Sequence, residues 1–512
     1  MSKKIVFITL YDIICIGPRL LSSIAKDNGI QSYLIIFKGQ QTRPIVKDSE
    51  DHSIYQFYID GIKYGSCYAA RRYTKKELDL LVKLISEINP DLLCLSTRSF
   101  GLSASKEIFA HLRKNNIKTT VIGGGWGPTL EPEKFLECCD YVSFGEGEKP
   151  FEEICHTLDN GESNDFSGVS NMIYYSEGKL RRNRVVCPVT DEELDKLPFP
   201  DFTPEDKYMI DSNRIMGSAE FYNKLMFNCF AARGCPLNCT YCMSSKYRDL
   251  YLSCGHSIRK YRVRRVSTVI NELEIGKRQG AKFIRMNDEV FPASKNWVKE
   301  FLKKYKEKID LPFFAYVRPE FHDPELIKEM VDAGLCSTIV GIQAGAERIR
   351  KKVFRRMLPT GRLMKFAETV KDLKLDYSYH LINFNPFETE QDMDETLELL
   401  YKLPYSSMFV FKLVPFTGTP IFRMIKDSNV EPLPDKIHKW YGFLYTMAVK
   451  GPVFRGECKV IHKSKLFRSS LFVFPILFFP SFLMLHFKKL LRKIVFGSYT
   501  LMPIPVKARK NE

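Results

Sequence analysis

Three cysteines, Cys235, Cys239 and Cys242, stand in the run AARGCPLNCTYCMSSKYR. The C-x3-C-x2-C spacing puts three thiolates on one short loop, and thiolates are the preferred ligands of iron–sulfur clusters. A 4Fe-4S cubane held at three corners keeps its fourth iron open to a small chelating ligand. The competing metal is zinc, which wants a further C-x2-C or a His pair nearby. Cys254 and His256 follow, but their C-x-H spacing serves zinc poorly. The other cysteines sit mostly in apolar runs such as DLLCLS around Cys94 and FEEICHTL around Cys155, and read as buried, reduced thiols.

The motif, with Tyr241 in the aromatic position, resembles that of the radical SAM superfamily. The resemblance implies that the open iron chelates the amino and carboxylate groups of S-adenosylmethionine. An electron from the cluster then breaks the bond from sulfur to adenosine, and the 5′-deoxyadenosyl radical abstracts hydrogen from unactivated carbon. MNDEVF (Met286–Phe291) is similar to the family's acidic segment after the second strand. Asn287, Asp288 and Glu289 are therefore candidates for the methionyl amine or the substrate. GIQAGAERI (Gly341–Ile349) looks like the family's Gly-Ile-Glu-Ser-Gly segment, with Gln343 where Glu is common. Its amide can still bond a ribose hydroxyl. Arg318 closes the third strand and either approaches the S-adenosylmethionine carboxylate or pairs with a strand-end acid. PFTGTP (Pro415–Pro420) is similar to a structural segment closing the last strand.

These residues need strand ends to hold them. From Met226, strand patterns at Met226–Ala231, Phe283–Met286, Phe313–Val317, Ser337–Ile342, Tyr377–Phe384 and Met408–Leu413 alternate with helical ones at Ser267–Lys277, Trp297–Tyr305, Pro324–Ala333, Ala346–Val353, Arg362–Leu373 and Gln391–Tyr401. Six strand–helix units predict an α/β fold of partial (β/α)6 TIM type over residues 221–425, with active groups at the strand carboxyl ends.

Ahead of it, strands at Ile5–Leu10, Ser32–Phe37, Leu92–Ser96, Thr119–Gly123 and Tyr141–Phe144 alternate with helices such as Lys76–Ile88 and Ala104–Lys114. Residues 1–160 thus read as a doubly wound parallel sheet of flavodoxin or Rossmann type, and residues 161–220, with LPFPDFTPED, as a linker. This order of domains resembles the cobalamin-dependent branch of radical SAM enzymes. On that resemblance Asp12, Gly17, Ser96, Gly123, Gly124 and Gly125 are candidate cobalamin contacts. Cobalamin domains of the mutase type carry Asp-x-His-x-x-Gly. Here Asp12-Ile13-Ile14-Cys15-Ile16-Gly17 keeps the Asp and the Gly but puts Ile14 in place of the cobalt-ligating His.

Composition is that of a globular protein, 45% hydrophobic and 27% charged. The net charge of +17 suggests nucleic acid, but its distribution argues against it: Lys459 to Glu512 holds eleven Lys or Arg and one acid, +10 of the +17. These flank Leu471–Leu485 (LFVFPILFFPSFLML), which is too short and too proline-broken to span a bilayer, so residues 426–512 read as a helical region with a basic, apolar tail suited to a membrane surface. The start, MSKKIVFITL, has no signal-peptide pattern. The expected place is the cytoplasm, peripheral at the inner membrane face.

The expected function is carbon methylation, or rearrangement or ring formation, of a small-molecule or lipid-like substrate. Its partners are a flavodoxin- or ferredoxin-type electron donor and no nucleic acid. The catalytic residues proper are not legible. The second reading, a tRNA methylthiotransferase, needs three more cluster cysteines; Cys15, Cys67 and Cys94 are present without a recognisable site. A cobalamin or metal sensor would need no strand-end acids.

Overall fold

The computed structural model describes residues 2–39, 73–161, 165–221, 225–291, 294–321 and 323–463, together with the backbone of the hairpin Gln56–Ile59/Ile62–Ser66. Cys67 and the apolar tail Leu471–Leu485 lie outside the described residues.

Five parallel strands, β1 (Lys4–Leu10), β2 (Gln31–Phe37), β3 (Leu92–Ser96), β4 (Thr120–Gly124) and β5 (Tyr141–Ser143), stand in the order β2-β1-β3-β4-β5. Their sequences are apolar on both faces because helices cover both. Val6 and Ile8 of β1 pack with Leu81 and Ile108, from helices Lys75–Ile88 and Leu102–Lys114. Ile5 and Phe7 point the other way, to Ile24 and Ile154 of helices Ile16–Asp27 and Glu148–Asp159. The direction of winding reverses between β1 and β3, which opens a crevice at their carboxyl ends.

Residues 161–220 differ from the expected linker. β6 (Met172–Ser176) and β7 (Lys179–Arg182) extend the sheet beyond β5, while β8 (Lys207–Asp211) and β9 (Arg214–Gly217) extend it beyond β2. Both hairpins turn on two left-handed residues, Glu177–Gly178 and Ser212–Asn213, the geometry that matches strand twist.

A second sheet holds β10 (Met226–Cys229), β11 (Phe283–Met286), β12 (Phe313–Phe314), β13 (Leu335–Gln343), β14 (Asp376–Asn383) and β15 (Ser407–Lys412), all parallel and in chain order. The intervening helices start where side chains satisfy their free N–H groups. Ser294 accepts from Trp297, Asp323 from Leu326, and Thr389 forms a reciprocal box with Asp392.

The helix expected at Ala346–Val353 is a single π turn, Ile349–Val353. Gly345 lies so close to Thr396 that a Cβ would sit 2.4 Å from its Cα. The buried Arg350 guanidinium bonds the carbonyls of Ala344, Gly345 and Leu358, all at 2.9 Å, which bends the segment back on itself. Helices Asp435–Ala448 and Pro452–Lys463 close the described chain. Among the described residues no helix is long and apolar enough to cross a membrane.

Candidate active site

The three cysteines lie on the loop after β10, within a narrow frame. Gly234 has φ +80, and a Cβ there would fall 2.2 Å from the Lys260 carbonyl, so only glycine lets the loop leave the hairpin Ala232–Gly234/Tyr261–Val263. Thr240 is fully buried and fixes the middle of the loop. Its N–H donates to Phe354 O at 3.0 Å and its hydroxyl to Val353 O at 2.7 Å, while its own carbonyl accepts from Ile421 N. Tyr241 sets its ring edge-on to Phe354, 4.9 Å between centroids.

None of the three cysteines is in a disulfide. Burial pushes the Cys235 thiol up to about 11, against the opposing pull of the Leu237 N–H and the Arg318 guanidinium. Among the described residues no three His, Cys, Asp or Glu side chains converge on a single ion. A cubane instead takes each thiolate at a separate corner.

Two arginines test whether an anionic group belongs here. Arg356 is buried and bonds Glu320 through Nε (2.5 Å) and Nη2 (3.1 Å), but its Nη1 has no partner among the described residues. Arg318 reaches Glu320 only at 3.5 Å, and its buried Nε likewise has no partner among the described residues. Both guanidinium groups act on the cysteine loop, Arg318 on Cys235 and Arg356 on Tyr241. Unpaired buried N–H groups beside three thiols fit an anionic cluster and a carboxylate ligand.

At the end of β13 the ladder shifts register between Gly341 and Gln343, and Gln343 takes a left-handed φ of 66. A Cβ on Gly341 would lie 2.9 Å from Gln343 Nε2 and 3.4 Å from Arg356 Nη1, so amide and guanidinium converge above that glycine.

Asp288 does not reach toward a ligand with both oxygens. Oδ1 accepts from Ala232 N at 2.6 Å and so braces the strand leading into the cysteine loop. Oδ2 is buried without a partner among the described residues, and burial raises the carboxyl to about 7. Its neighbour Glu289 stands on the wall of a 350 Å³ cavity, 3.4 Å from Ser244 Oγ.

That cavity joins the two sheets. One side is Gly17, Gly125, Trp126 and Gly145 from the carboxyl ends of the first sheet; the other includes Ala232, Gly234, Ser244 and Tyr247. Gly17 faces open space and Gly125 has φ +90, so the backbone is bare where a large ligand would approach. At Gly124 a Cβ would just touch Leu95 O at 3.9 Å, whereas Gly123 is a packing glycine with Cys139 Sγ 2.9 Å from where its Cβ would be. Ser96 ends β3 beside Gly125. Asp12 acts locally, its Oδ1 accepting from Ile14 N and Cys15 N at 3.1 and 3.0 Å. Arg19 holds the carbonyls of Ile13 and Ile14, so the turn carrying Ile14 is fixed from both sides.

Sequence reasoning missed the joint itself. Arg233 bonds Glu148 at 2.6 Å, and Arg262 bonds Glu146. Tyr251 accepts from Glu146 N at 2.8 Å, and Trp126 meets Tyr247 at 5.5 Å. The available signal was FGEGE, two acids in a strand-end loop, but their partners lie about a hundred residues on. His256, weighed above for zinc, instead bonds Cys187 Sγ and Val185 O.

Residues 230–400 match the family model of the radical SAM superfamily. That stretch is a radical SAM domain. Residues 71–155 of this radical SAM chain match the B12 binding domain, a span that includes Ser96 and Gly123–Gly125 and excludes Asp12 and Gly17. The enzyme thus uses a 4Fe-4S cluster, S-adenosylmethionine and cobalamin. It is 25% identical over 357 residues to an uncharacterized methyltransferase of Pyrococcus horikoshii, covering 68% of this chain and 72% of that one. It is 26% identical over 208 residues to tRNA-2-methylthio-N(6)-dimethylallyladenosine synthase of Aquifex aeolicus, covering 38% of this chain and 44% of that one. In fold it is similar to OxsB, a cobalamin-dependent S-adenosylmethionine radical enzyme solved with aqua-cobalamin and S-adenosylmethionine bound (TM-score 0.63, 14% identity, 98% of this chain, 76% of that one). It is also similar in fold to the radical S-adenosylmethionine methyltransferase TsrM of Kitasatospora setae (TM-score 0.59, 17% identity, 83% of this chain, 76% of that one).

Proposed function

We propose that this radical SAM enzyme transfers a methyl group to an unactivated carbon of a small molecule. The observation that carries the reading is the shared cavity, whose walls come from the bare strand ends of the B12 side and from the loop entering Cys235. When bound, the cluster and cobalamin supply the electron that cleaves S-adenosylmethionine and the carriage of the methyl group. Cys235, Cys239 and Cys242 would hold three irons. Arg318 and Arg356 offer N–H groups to the S-adenosylmethionine carboxylate, Gln343 offers an amide to a ribose hydroxyl, and Glu289 accepts from the amine. Gly17 and Gly125 would leave room for the corrin, and the turn fixed by Asp12 and Arg19 carries Ile14, which has no imidazole to offer cobalt. The second sheet, read as a partial barrel, gathers these groups at its carboxyl ends.

An electron donor of flavodoxin or ferredoxin type serves the cluster. The basic apolar tail around Leu471–Leu485 supports contact with an anionic membrane surface and a lipid-like substrate. Vesicle flotation tests that contact, and a full chain left wholly in the soluble fraction counts against it.

The test is anaerobic reconstitution with S-adenosylmethionine and dithionite, with and without methylcobalamin, reading 5′-deoxyadenosine and S-adenosylhomocysteine. Both should form, the second only with cobalamin. A protein that retains no corrin absorbance refutes the methyl-carrying part.

The similarity to the Aquifex aeolicus enzyme favours methylthiotransfer as a second reading. Against it, Cys15 and Cys94 are buried in the core of the first sheet, both thiols raised mainly by burial. About four irons per chain supports one cluster, and about eight supports methylthiotransfer.

A further inference from the structure

The inward face of β14 carries Ser378, His380 and Ile382, while Tyr377, Tyr379 and Leu381 pack outward into the main core. His380 lies opposite Gly341 on β13 and Phe409 on β15. Its ring stands 5.4 Å from that of Phe409 and 4.9 Å from that of Phe411. Nε2 of His380 and Oγ of Ser378 are both buried, and among the described residues neither has a hydrogen-bond partner. A buried polar atom left unpaired is costly, so two of them on one strand face point to a group that completes them. β15 is the edge strand of its sheet, and Phe409 is 41% exposed there despite its size. The face is therefore reached from outside past that ring.

We propose that Ser378, His380, Phe409 and Phe411 form the substrate floor of the radical site, and that this floor takes an uncharged molecule with a flat apolar body and a hydroxyl, carbonyl or amide directed at His380 and Ser378. The proposal rests on the reading of the strand carboxyl ends above this face as the place of radical formation. Gly341, beside His380, carries no side chain, and Gln343 and Arg356 converge directly over it. A substrate on the floor therefore lies under the groups assigned to S-adenosylmethionine. Burial alone lowers the imidazole to about 4, with no charged neighbour contributing, so the ring is neutral at pH 7. A neutral imidazole donates from one nitrogen and accepts at the other, which suits a hydroxyl or an amide. A carboxylate or phosphate at that spot would lose its water, and the nearest guanidinium, Arg356, is already paired with Glu320 and assigned to S-adenosylmethionine. The two phenylalanines supply ring faces and edges to a flat body. His380 is thus a positioning residue, which sets the carbon offered to the radical.

The test is equilibrium dialysis of the reconstituted full chain with S-adenosylmethionine and no reductant, using benzyl alcohol, benzamide, benzoate and phenyl phosphate as probes. Benzyl alcohol and benzamide should bind at least ~10-fold tighter than benzoate and phenyl phosphate. His380→Phe and Ser378→Ala should each weaken the neutral probes by about 10-fold, and His380→Gln should restore them to within about 3-fold. Circular dichroism melts identify variants that fail to fold, in which case the probe ranking in the unaltered protein decides. Equal binding of all four probes, no binding, or a folded His380→Phe that binds as before overturns the proposal. Dithionite is then added to the same samples. Release of 5′-deoxyadenosine without selective probe binding removes the floor and leaves the radical reading standing, whereas no release removes both.

Discussion

Arg262 grips Glu146 with two nitrogens, Nη1 to Oε2 at 3.0 Å and Nη2 to Oε1 at 2.5 Å, and so ties the loop after β5 to the hairpin beside the cysteines. Burial would raise the Glu146 carboxyl, but Arg233 and Arg262 outweigh it and hold it below its ordinary value. Removing one partner of such a buried pair typically costs about 3–5 kcal/mol, because the other charge is stranded. Glu146→Ala should show a loss of that order in urea unfolding, with Glu146→Gln intermediate.

Cys239→Ala should abolish 5′-deoxyadenosine release and lower iron per chain. Cys254→Ala changes an exposed thiol outside the loop and should leave both unaltered. Iron assay and product chromatography on the same reconstituted samples check the pair.

Gly234→Ala forces a left-handed residue and places a methyl group against backbone, since the Lys260 carbonyl cannot swing away as a side chain would. Backbone strain of that kind costs about 1–3 kcal/mol before the clash is counted. The variant should melt lower than the parent and incorporate less iron, because the loop entry moves. A variant with parental melting and iron content would show that the loop tolerates the shift.

Asp288 gives a pH signature. Its folded value, about 7, lies above the 3.8 of a free side chain, so the folded protein binds the extra proton between those limits. Stability therefore falls as pH rises from about 4 to about 7, by up to about 4 kcal/mol from this group, and is flat in this respect above it. Asp288→Asn keeps an oxygen for Ala232 N and loses the titration. Melting of the iron-free protein across that range should slope less in the variant than in the parent.

Much of this was legible in sequence because parallel strands covered on both faces read as unbroken apolar runs. KIVFITL, QSYLIIF and LLCLS announce β1, β2 and β3, and the cysteine spacing announces the loop. The short edge strands were not legible, since Tyr175 and Arg181 face solvent and carry no core pattern. Arg356 escaped notice in FRRMLP because a buried arginine looks like any other until its carboxylate, Glu320, is found 36 residues earlier. Asp288 was found, but what it does was not: a bond from one carboxylate oxygen to Ala232 N, 56 residues away in sequence, leaves no local mark.

The strands that seal both flanks of the first sheet also govern how the molecule can be taken apart. A fragment ending at residue 160 would strip β2 of β8 and β5 of β6, baring two rows of unpaired peptide groups ready to recruit other chains. The corrin-binding half therefore has its natural scissors point after β9. A transplant made there would carry its own borders with it.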